Sequence, residues 1–146
     1  MNDGPNDARP VAPYTAIDKT GAPYLIGSRC SACSATHLGY FENCPKCGVR
    51  GEVSEVRLGD HGVLYNFTIV HRSLPGVKVP FISATVDLDG GGTVRGNLLE
   101  VEPDPAKIPF GMPVNVQFRS ASIAVENGDG YIAHFFVPAD RGARAR

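Results

Sequence analysis

The sequence predicts a mainly β protein made of a small metal-binding ribbon followed by a larger β-barrel. Two Cys-x-x-Cys pairs lie close together in the first third of the chain, and from Gly51 onward β-branched and aromatic residues alternate with almost no helical period. At 146 residues, the chain is long enough for one large domain or two small ones. The predicted parts are a flexible N-terminal segment (1–19), the ribbon (20–50), the barrel (51–138) and a basic tail (139–146).

The N-terminal part of the chain is predicted to become ordered only as it approaches the first cysteine. Residues 1–13 are polar and rich in Pro, Asn and Asp, which is typical of an unstructured segment. A short helical turn is expected over Tyr14–Lys19, ended by the turn formers of Thr20–Pro23. Two ribbon strands should follow, Tyr24–Arg29 before the first cysteine pair and His37–Phe41 before the second.

The cysteines have the spacing of a four-thiolate metal site. Ten residues separate the pair Cys30 and Cys33 from the pair Cys44 and Cys47, and the chain has no other cysteine. Each pair can offer two sulfurs to one tetrahedral ion, and Gly48 can take the positive φ that such a turn requires. We therefore expect a structural zinc site, although iron would satisfy the same four sulfurs. Metal binding would contribute on the order of 10 kcal/mol to the stability of so small a unit.

Two other interpretations of the cysteines compete with a zinc site, namely two disulfides and a redox dithiol. Two disulfides would suit a secreted domain, but the opening residues do not have the charged, apolar and small-residue pattern of a secretory leader, so we expect a cytoplasmic protein. A redox dithiol usually stands alone at the start of a helix, whereas here two pairs lie among turn formers. A closed, structural site is favoured.

The barrel is predicted from short strands separated by turns rich in Gly, Asp and Pro. About five strands suit a small closed barrel, and the proline-rich stretch Pro103–Met112 would cross from one side of it to the other, as an OB-fold requires. Strands are predicted at Glu52–Leu58, Gly62–His71, Phe81–Asp87, Thr93–Glu100, Pro113–Arg119 and Tyr131–Val137.

Five stretches of the sequence together carry a resemblance to a known family: Leu25–Cys33, Cys44–Gly48, Gly62–Val70, Val79–Phe81 and Phe110–Val114. Over about residues 20–138 the sequence resembles small bacterial and archaeal proteins, domain of unknown function family 35. In this family a rubredoxin-like zinc ribbon precedes an OB-fold, and the proteins accompany acyl-CoA enzymes. Two features depart from the family pattern: Ser34 stands where glycine is expected, and His37–Glu42 replaces a proline-rich stretch.

The resemblance implies an accessory subunit of a thiolase or thiolase-like carbon–carbon lyase. Such systems act in steroid side-chain breakdown, aromatic degradation or archaeal acetoacetyl-CoA synthesis, and the small subunit of a benzoylsuccinyl-CoA-type thiolase is one example. The large partner performs the chemistry and the small chain meets acyl-CoA through the complex. Some members join hydratase-like subunits instead. By analogy with dimeric thiolases, two small and two large subunits would form a heterotetramer.

The residues themselves indicate no catalytic machinery in this chain. Thiolase chemistry needs a nucleophilic cysteine, and all four are assigned to metal. The sequence contains no Gly-x-Ser-x-Gly elbow, phosphate-binding glycine loop or His-Glu-x-x-His motif. No histidine has a carboxylate at a spacing that predicts an oriented pair; the four are His37, His61, His71 and His134.

Aromatic and basic side chains of the barrel are candidates for contact with coenzyme A or a partner. OB-folds use such residues to stack bases and hold phosphates, although core packing and solvated charges also explain them. Single-stranded nucleic acid is the alternative ligand, but a net charge of −1 disfavours it, and no membrane partner is expected. An autonomous enzyme or redox protein is a third hypothesis. The candidates are Tyr65, Phe67, His71, Arg72, Lys78 and Arg95.

Overall fold

The computed structural model describes residues 9–139, which form two β-sheets. Within this range, two short 3-10 helices lie at Pro105–Lys107 and Ala121–Ile123, and no helix is long and apolar enough to cross a membrane. The strands are β1 (Arg9–Pro10), β2 (Thr15–Ile17), β3 (Pro23–Cys30), β4 (Thr36–Leu38), β5 (Val53–Arg57), β6 (His61–Val70), β7 (Phe81–Leu88), β8 (Thr93–Leu98), β9 (Pro113–Ser120) and β10 (Tyr131–Pro138).

Strands β6 to β10 close into the predicted five-stranded barrel. The order around it is β6, β7, β8, β10, β9 and back to β6, with β8 and β10 parallel and every other pair antiparallel. This is the strand order of an OB-fold, and the predicted crossing over residues 103–112 joins β8 to β9. Asp104 caps the 3-10 helix in the crossing, since its side chain accepts a hydrogen bond from the Ala106 amide at 3.0 Å.

The barrel core follows from alternating side chains. Along β7 every second residue is buried, as expected for a strand with one face on a core. These residues pack against side chains of β6, β8, β9 and β10 in one hydrophobic cluster. The prediction of a mainly β fold is confirmed. The buried members of the cluster are Leu25, Leu58, Leu64, Ile82, Ala84, Val86, Leu88, Val94, Leu98, Ile108, Val114 and Phe136.

A β-bulge in β6 changes which of its residues face inward. Leu64 pairs with Val86 and Asn66 pairs with Thr85, so Tyr65 has no opposite residue on β7. Because the bulge adds one residue, the next side chain after Leu64 that faces the core is Phe67 instead of Asn66. Tyr65 is left 66% exposed.

The smaller sheet is built around β3, which carries Cys30 at its end. Strand β2 pairs with one edge of β3, and β4 and β5 also pair with it. The sequence predicts that the barrel begins at Gly51, but β5 pairs with β3 and not with a barrel strand, with Val53 opposite Cys30. The amide of Ser31 donates to the carbonyl of Glu52 at 2.8 Å, which brings the chain beside β3 as it leaves the second cysteine pair.

The residues before β3 are strands and not the predicted helical turn. Thr15 pairs with Leu25, and a β-branched residue suits this extended position. The Asp18 carboxylate then accepts hydrogen bonds from the Thr20 hydroxyl and from the Thr20 and Ala22 amides, which turn the chain into β3. These bonds, led by the Thr20 hydroxyl, lower the pKa of Asp18 to about 2. The flexible segment was predicted for residues 1–19, but Arg9–Pro10 form β1, which pairs with β10, and Thr15–Ile17 form β2. The rest of that prediction that concerns residues 1–8, and the basic tail predicted for 139–146 from residue 140 onward, lie outside the described residues.

Candidate functional site

The four cysteines come together in a geometry that could bind one metal ion. Their Sγ atoms all lie within 4.8 Å of one another. The Cys30 and Cys47 sulfurs are 3.7 Å apart and those of Cys33 and Cys44 are 3.6 Å apart. A tetrahedral site with metal–sulfur bonds of about 2.3 Å has sulfur–sulfur edges of about 3.8 Å, close to these distances. The cysteines are free thiols and not disulfides.

Local backbone structure prepares each cysteine pair for this role. In the second pair the amides of Lys46 and Cys47 point at Cys44 Sγ, both at 3.4 Å. Gly48 then takes a φ of 79°, as the sequence predicted. In the first pair Ser34 occupies the same left-handed region with a φ of 67°. The serine that departs from the family pattern therefore keeps the turn and leaves the ligands in place.

The two sulfurs of the second pair differ in their electrostatics. Hydrogen bonds from the Cys47 amide and then the Lys46 amide lower the pKa of the Cys44 thiol to about 6. The Val49 amide also acts to lower the pKa of Cys47, but burial and the neighbouring sulfurs outweigh it and raise that pKa to about 11. Four thiolates without a cation would repel one another, so a bound cation is what allows all four to ionise.

The ribbon contacts the barrel beside the cysteine cluster. Arg29, next to the candidate ligand Cys30, donates from Nη2 to the Gly90 carbonyl in the β7–β8 turn at 2.8 Å. Thr36 packs on the same turn, where a Cβ on Gly91 would lie only 2.9 Å from the Thr36 Cβ. This close approach holds the cysteine cluster at one end of the barrel.

An aromatic surface lies on the barrel around the β6 bulge. The ring centroids of Phe67 and Phe110 are 5.5 Å apart, and Phe67 also packs against the core. Tyr65 is 66% exposed and Phe110 is 70% exposed. Phe110 was not among the sequence candidates, because the sequence placed it in the proline-rich crossing Pro103–Met112. We call Tyr65, Phe67 and Phe110 the aromatic face.

The basic candidates lie on two parts of the barrel. His71 and Arg72 are exposed directly after β6, and the side chain of Arg95 is exposed on β8. Lys78 donates from Nζ to the Ser122 carbonyl at 2.7 Å, so its ammonium group is partly engaged within the barrel. His71, Arg72 and Lys78 belong to the connection between β6 and β7, and Arg95 lies on β8.

The histidines have structural contacts that the sequence did not predict. His61 Nδ1 lies 2.8 Å from Asp89 Oδ2, a pair that sequence spacing could not reveal because 28 residues separate them. Both side chains are exposed, and the Asp89 amide also donates to the His61 carbonyl. His134 is partly buried and its Nε2 lies 2.7 Å from the Arg95 carbonyl. His37 stacks edge-on against Phe41 in the ribbon.

A cavity of about 410 Å³ opens beside His134, between β8 and β10. Its walls come from four separate parts of the chain: Val11, the end of β8, the segment 121–128 and the first half of β10. Sequence reasoning missed it because no single motif contributes more than a few of its residues.

The fold and the cysteine cluster define a protein with a four-cysteine ribbon and an OB-fold barrel. Residues 55–119 match the family model "ChsH2, C-terminal OB-fold domain". A DUF35 domain-containing scaffold protein of Methanocaldococcus jannaschii is 30% identical over 112 residues, covering 75% of this chain and 77% of that protein. The chain belongs to the DUF35 family.

Other matches connect this family with acyl-CoA enzymes. The benzoylsuccinyl-CoA thiolase subunit BbsA of Thauera aromatica is 37% identical over 68 residues, 46% of each chain. A probable enoyl-CoA hydratase alpha subunit of Thermomonospora curvata is 31% identical over 66% of this chain, but only 30% of that protein is covered. The solved Ltp2–ChsH2(DUF35) aldolase matches with a TM-score of 0.60 and 28% identity, over 80% of this chain and 86% of that one.

Proposed function

We propose that this chain is a non-catalytic accessory subunit that docks on the large subunit of an acyl-CoA thiolase or thiolase-like lyase. The observation that carries the proposal is the match over 80% of the chain to the Ltp2–ChsH2(DUF35) aldolase. The thiolase subunit BbsA, which is 37% identical over 68 residues, supports the thiolase class. Aromatic-compound or steroid side-chain degradation is the proposed setting, and a heterotetramer of two small and two large subunits is the proposed assembly.

The metal we propose for the cysteine cluster is zinc, held by Cys30, Cys33, Cys44 and Cys47. Four thiolates with tetrahedral edges suit zinc or iron, and zinc needs no redox partner. Reduced thiols that bind metal fit the cytoplasm, which is the proposed location. When bound, the ion would serve as a structural centre, since four sulfurs leave no coordination position for substrate or water.

The proposed role of the chain is scaffolding and not chemistry. All four cysteines are in the cluster, so none is left as a thiolase nucleophile. The ribbon, fastened to the barrel by Arg29 and Thr36, would present a rigid two-domain surface to the large subunit. A rigid surface loses little conformational entropy on docking, which favours a stable complex.

The aromatic face is the proposed centre of the docking surface. Tyr65 and Phe110 are exposed, and tyrosine and phenylalanine side chains are enriched at the cores of protein–protein interfaces. The basic residues would contact the partner or coenzyme A at the rim. The proposed contact residues from the sequence are Tyr65, Phe67, His71, Arg72, Lys78 and Arg95.

The first test is to isolate the complex. The tagged chain is used to capture partners from lysate of its own organism, and proteins that remain through a high-salt wash are identified by mass spectrometry. Recovery of a thiolase-like large subunit, which is active only when this chain is added back, is the expected result. Recovery of a hydratase subunit would overturn the thiolase assignment, and material released by nuclease would favour the nucleic-acid alternative.

A double variant tests the docking surface in the reconstituted complex. Removing two exposed aromatic anchors with Tyr65→Ala and Phe110→Ala should weaken partner binding by about 30-fold or more, since even one interface hot spot contributes about 2 kcal/mol. Leu74→Ala is the matched control, because Leu74 is an apolar side chain that is 76% exposed and lies outside the aromatic face. Equal losses in the two proteins, measured by titration of the purified large subunit, would contradict the proposed surface.

A further inference from the structure

The seam between β8 and β10 is short, and this leaves a gap in the barrel wall. The two strands pair only at Asn97 with Phe135 and at Leu98 with Phe136. Before this point β10 pairs with β1 instead of β8, Arg9 with Tyr131 and Pro10 with Ile132. The carbonyl of Arg95 on β8 is bonded to the His134 ring. The cavity of about 410 Å³ lies where β8 and β10 are not paired, and Val11, which follows β1, contributes to its wall.

Several of the residues that line this cavity are small, and this keeps the space free of side chains. Gly96, Ala121, Ala124, Gly128 and Ala133 line the cavity. A Cβ on Gly128 would lie 2.3 Å from the Ala121 carbonyl carbon, so the segment 121–128 folds closely onto itself and forms a fixed wall. The cavity is therefore a built feature of the backbone and not a loosely packed region.

The chemistry of the lining is apolar and uncharged. Among the described residues that line the cavity, none is Asp, Glu, Lys or Arg, and the polar side chains besides Tyr131 are Asn97, Asn127 and His134. Burial lowers the pKa of His134 even though the Arg95 carbonyl acts to raise it. A neutral imidazole that donates from Nε2 keeps Nδ1 as an acceptor. The volume lies within the range of about 300–1,000 Å³ typical of small-molecule sites.

We propose that this cavity, at the open part of the β8–β10 seam, binds a small, uncharged, mainly apolar molecule that carries a hydrogen-bond donor. The asparagine amides and the imidazole supply acceptors for the donor, and the alanine and glycine walls contact the apolar part. Phosphates and carboxylates are excluded because no cation lines the described walls. The inference does not depend on the proposed function, since the cavity is formed by this chain alone.

The test uses the isotopically labelled, metal-loaded full chain and 2-naphthol as the probe. Nuclear magnetic resonance titration should give saturable shifts of amides in 96–97, 121–128 and 131–135, with 2-naphthol binding about fivefold tighter than naphthalene. The 2-naphthoate anion, which has the same rings, should bind at least tenfold more weakly. Shifts centred on the aromatic face instead, or equal binding of the anion, would overturn the proposal.

A cavity-filling variant provides the second readout. Ala133→Leu should weaken 2-naphthol binding at least tenfold, whereas Ala106→Leu, at an exposed alanine outside the cavity, should leave it unchanged. If Ala133→Leu does not fold, Ala124→Leu fills the same space from the opposite wall. Binding of 2-naphthol that persists in a folded variant with a filled cavity would contradict the small-molecule inference. The inference would also be contradicted if the cavity amides shift when the large subunit is added but never with 2-naphthol, and the cavity would then be a docking pocket.

Discussion

The ribbon and the barrel are stabilised in different ways. Between β2 and β5 the buried apolar side chains are Leu25, Cys30 and Cys44, and two of these are candidate metal ligands. The barrel has a cluster from Leu58 to Phe136 that closes on itself through its strand order, and Leu25 of β3 also belongs to this cluster. The ribbon therefore depends on four sulfurs and on its contact with the barrel core, whereas most of the buried apolar side chains belong to the barrel.

Removal of the metal should produce the largest difference between the two regions. Chelation, or Cys44→Ser, removes a contribution on the order of 10 kcal/mol to the ribbon, because so few apolar groups remain to hold it. Hydrogen exchange measured by mass spectrometry should show rapid exchange in β3, β4 and β5 with protection retained in β6 to β10. Ser31→Ala is the control, since it lies inside the first cysteine pair but supplies no ligand. Loss of protection in both regions together would mean that they form one cooperative unit.

Truncation of a side chain in the barrel core should give the next largest loss of stability, and this loss should be in the barrel. Phe136 is fully buried, so Phe136→Ala should lower the free energy of unfolding by about 3–5 kcal/mol. Phe110→Ala is the matched control, because Phe110 is 70% exposed and its loss should change stability by about 0.5 kcal/mol or less. Urea unfolding measures both variants. The metal content of both variants should stay at one ion per folded chain. If the Phe136→Ala protein folds but loses its metal, the ribbon and the barrel are not stabilised separately.

The contact between the two regions can be weakened at one glycine. Gly91 has a φ of 114° and faces Thr36 at a distance that leaves no room for a Cβ. Its neighbour Gly90 has a φ of 86° but open space around the Cβ position. Both alanine variants carry the cost of a left-handed residue, about 1–2 kcal/mol, and Gly91→Ala should cost about 1–3 kcal/mol more because it overpacks the contact. Equal costs in thermal unfolding would show that the Thr36 contact does not join the regions.

The barrel strands and the cysteine cluster could be predicted because their signals are local. Cysteine spacing identifies a candidate metal site without tertiary information, and the alternation in β7 identifies a strand with one buried face. The partner of β5 could not be predicted in this way, since Val53 and Val56 suit either sheet and only the path of the chain after Cys47 selects β3. The pairing of a strand depends on residues that are far apart in the sequence.

The parts that were missed depend on contacts between distant residues. The bulge at Tyr65 leaves no mark in the sequence, because an extra residue is defined only by its partner on β7. The His61–Asp89 pair and the cavity beside His134 join segments far apart in the chain. Predicting them would require the barrel register, which is set by the whole core and not by any one strand.

The smallest expected effect is the pH dependence that His134 adds to the barrel. Burial lowers its pKa in the folded chain, whereas the unfolded chain keeps a value of about 6.5. Below that value the unfolded state binds a proton that the folded state does not, so the free energy of unfolding falls as the pH drops from 6.5 toward the folded pKa and is unaffected above 6.5. His134→Gln should remove this dependence.

The control is His71→Gln at an exposed histidine, which should leave the pH dependence of the wild-type chain in place. Urea unfolding of the three proteins at pH 7.5 and 5.5 measures the effect, because differences between variants at one pH cancel any loss of metal from the ribbon. Nuclear magnetic resonance titration of the His134 ring gives its pKa directly. An identical pH dependence in the His134→Gln and wild-type proteins would mean that the seam between β8 and β10 opens to water. It would then differ from the closed core formed by the other strands.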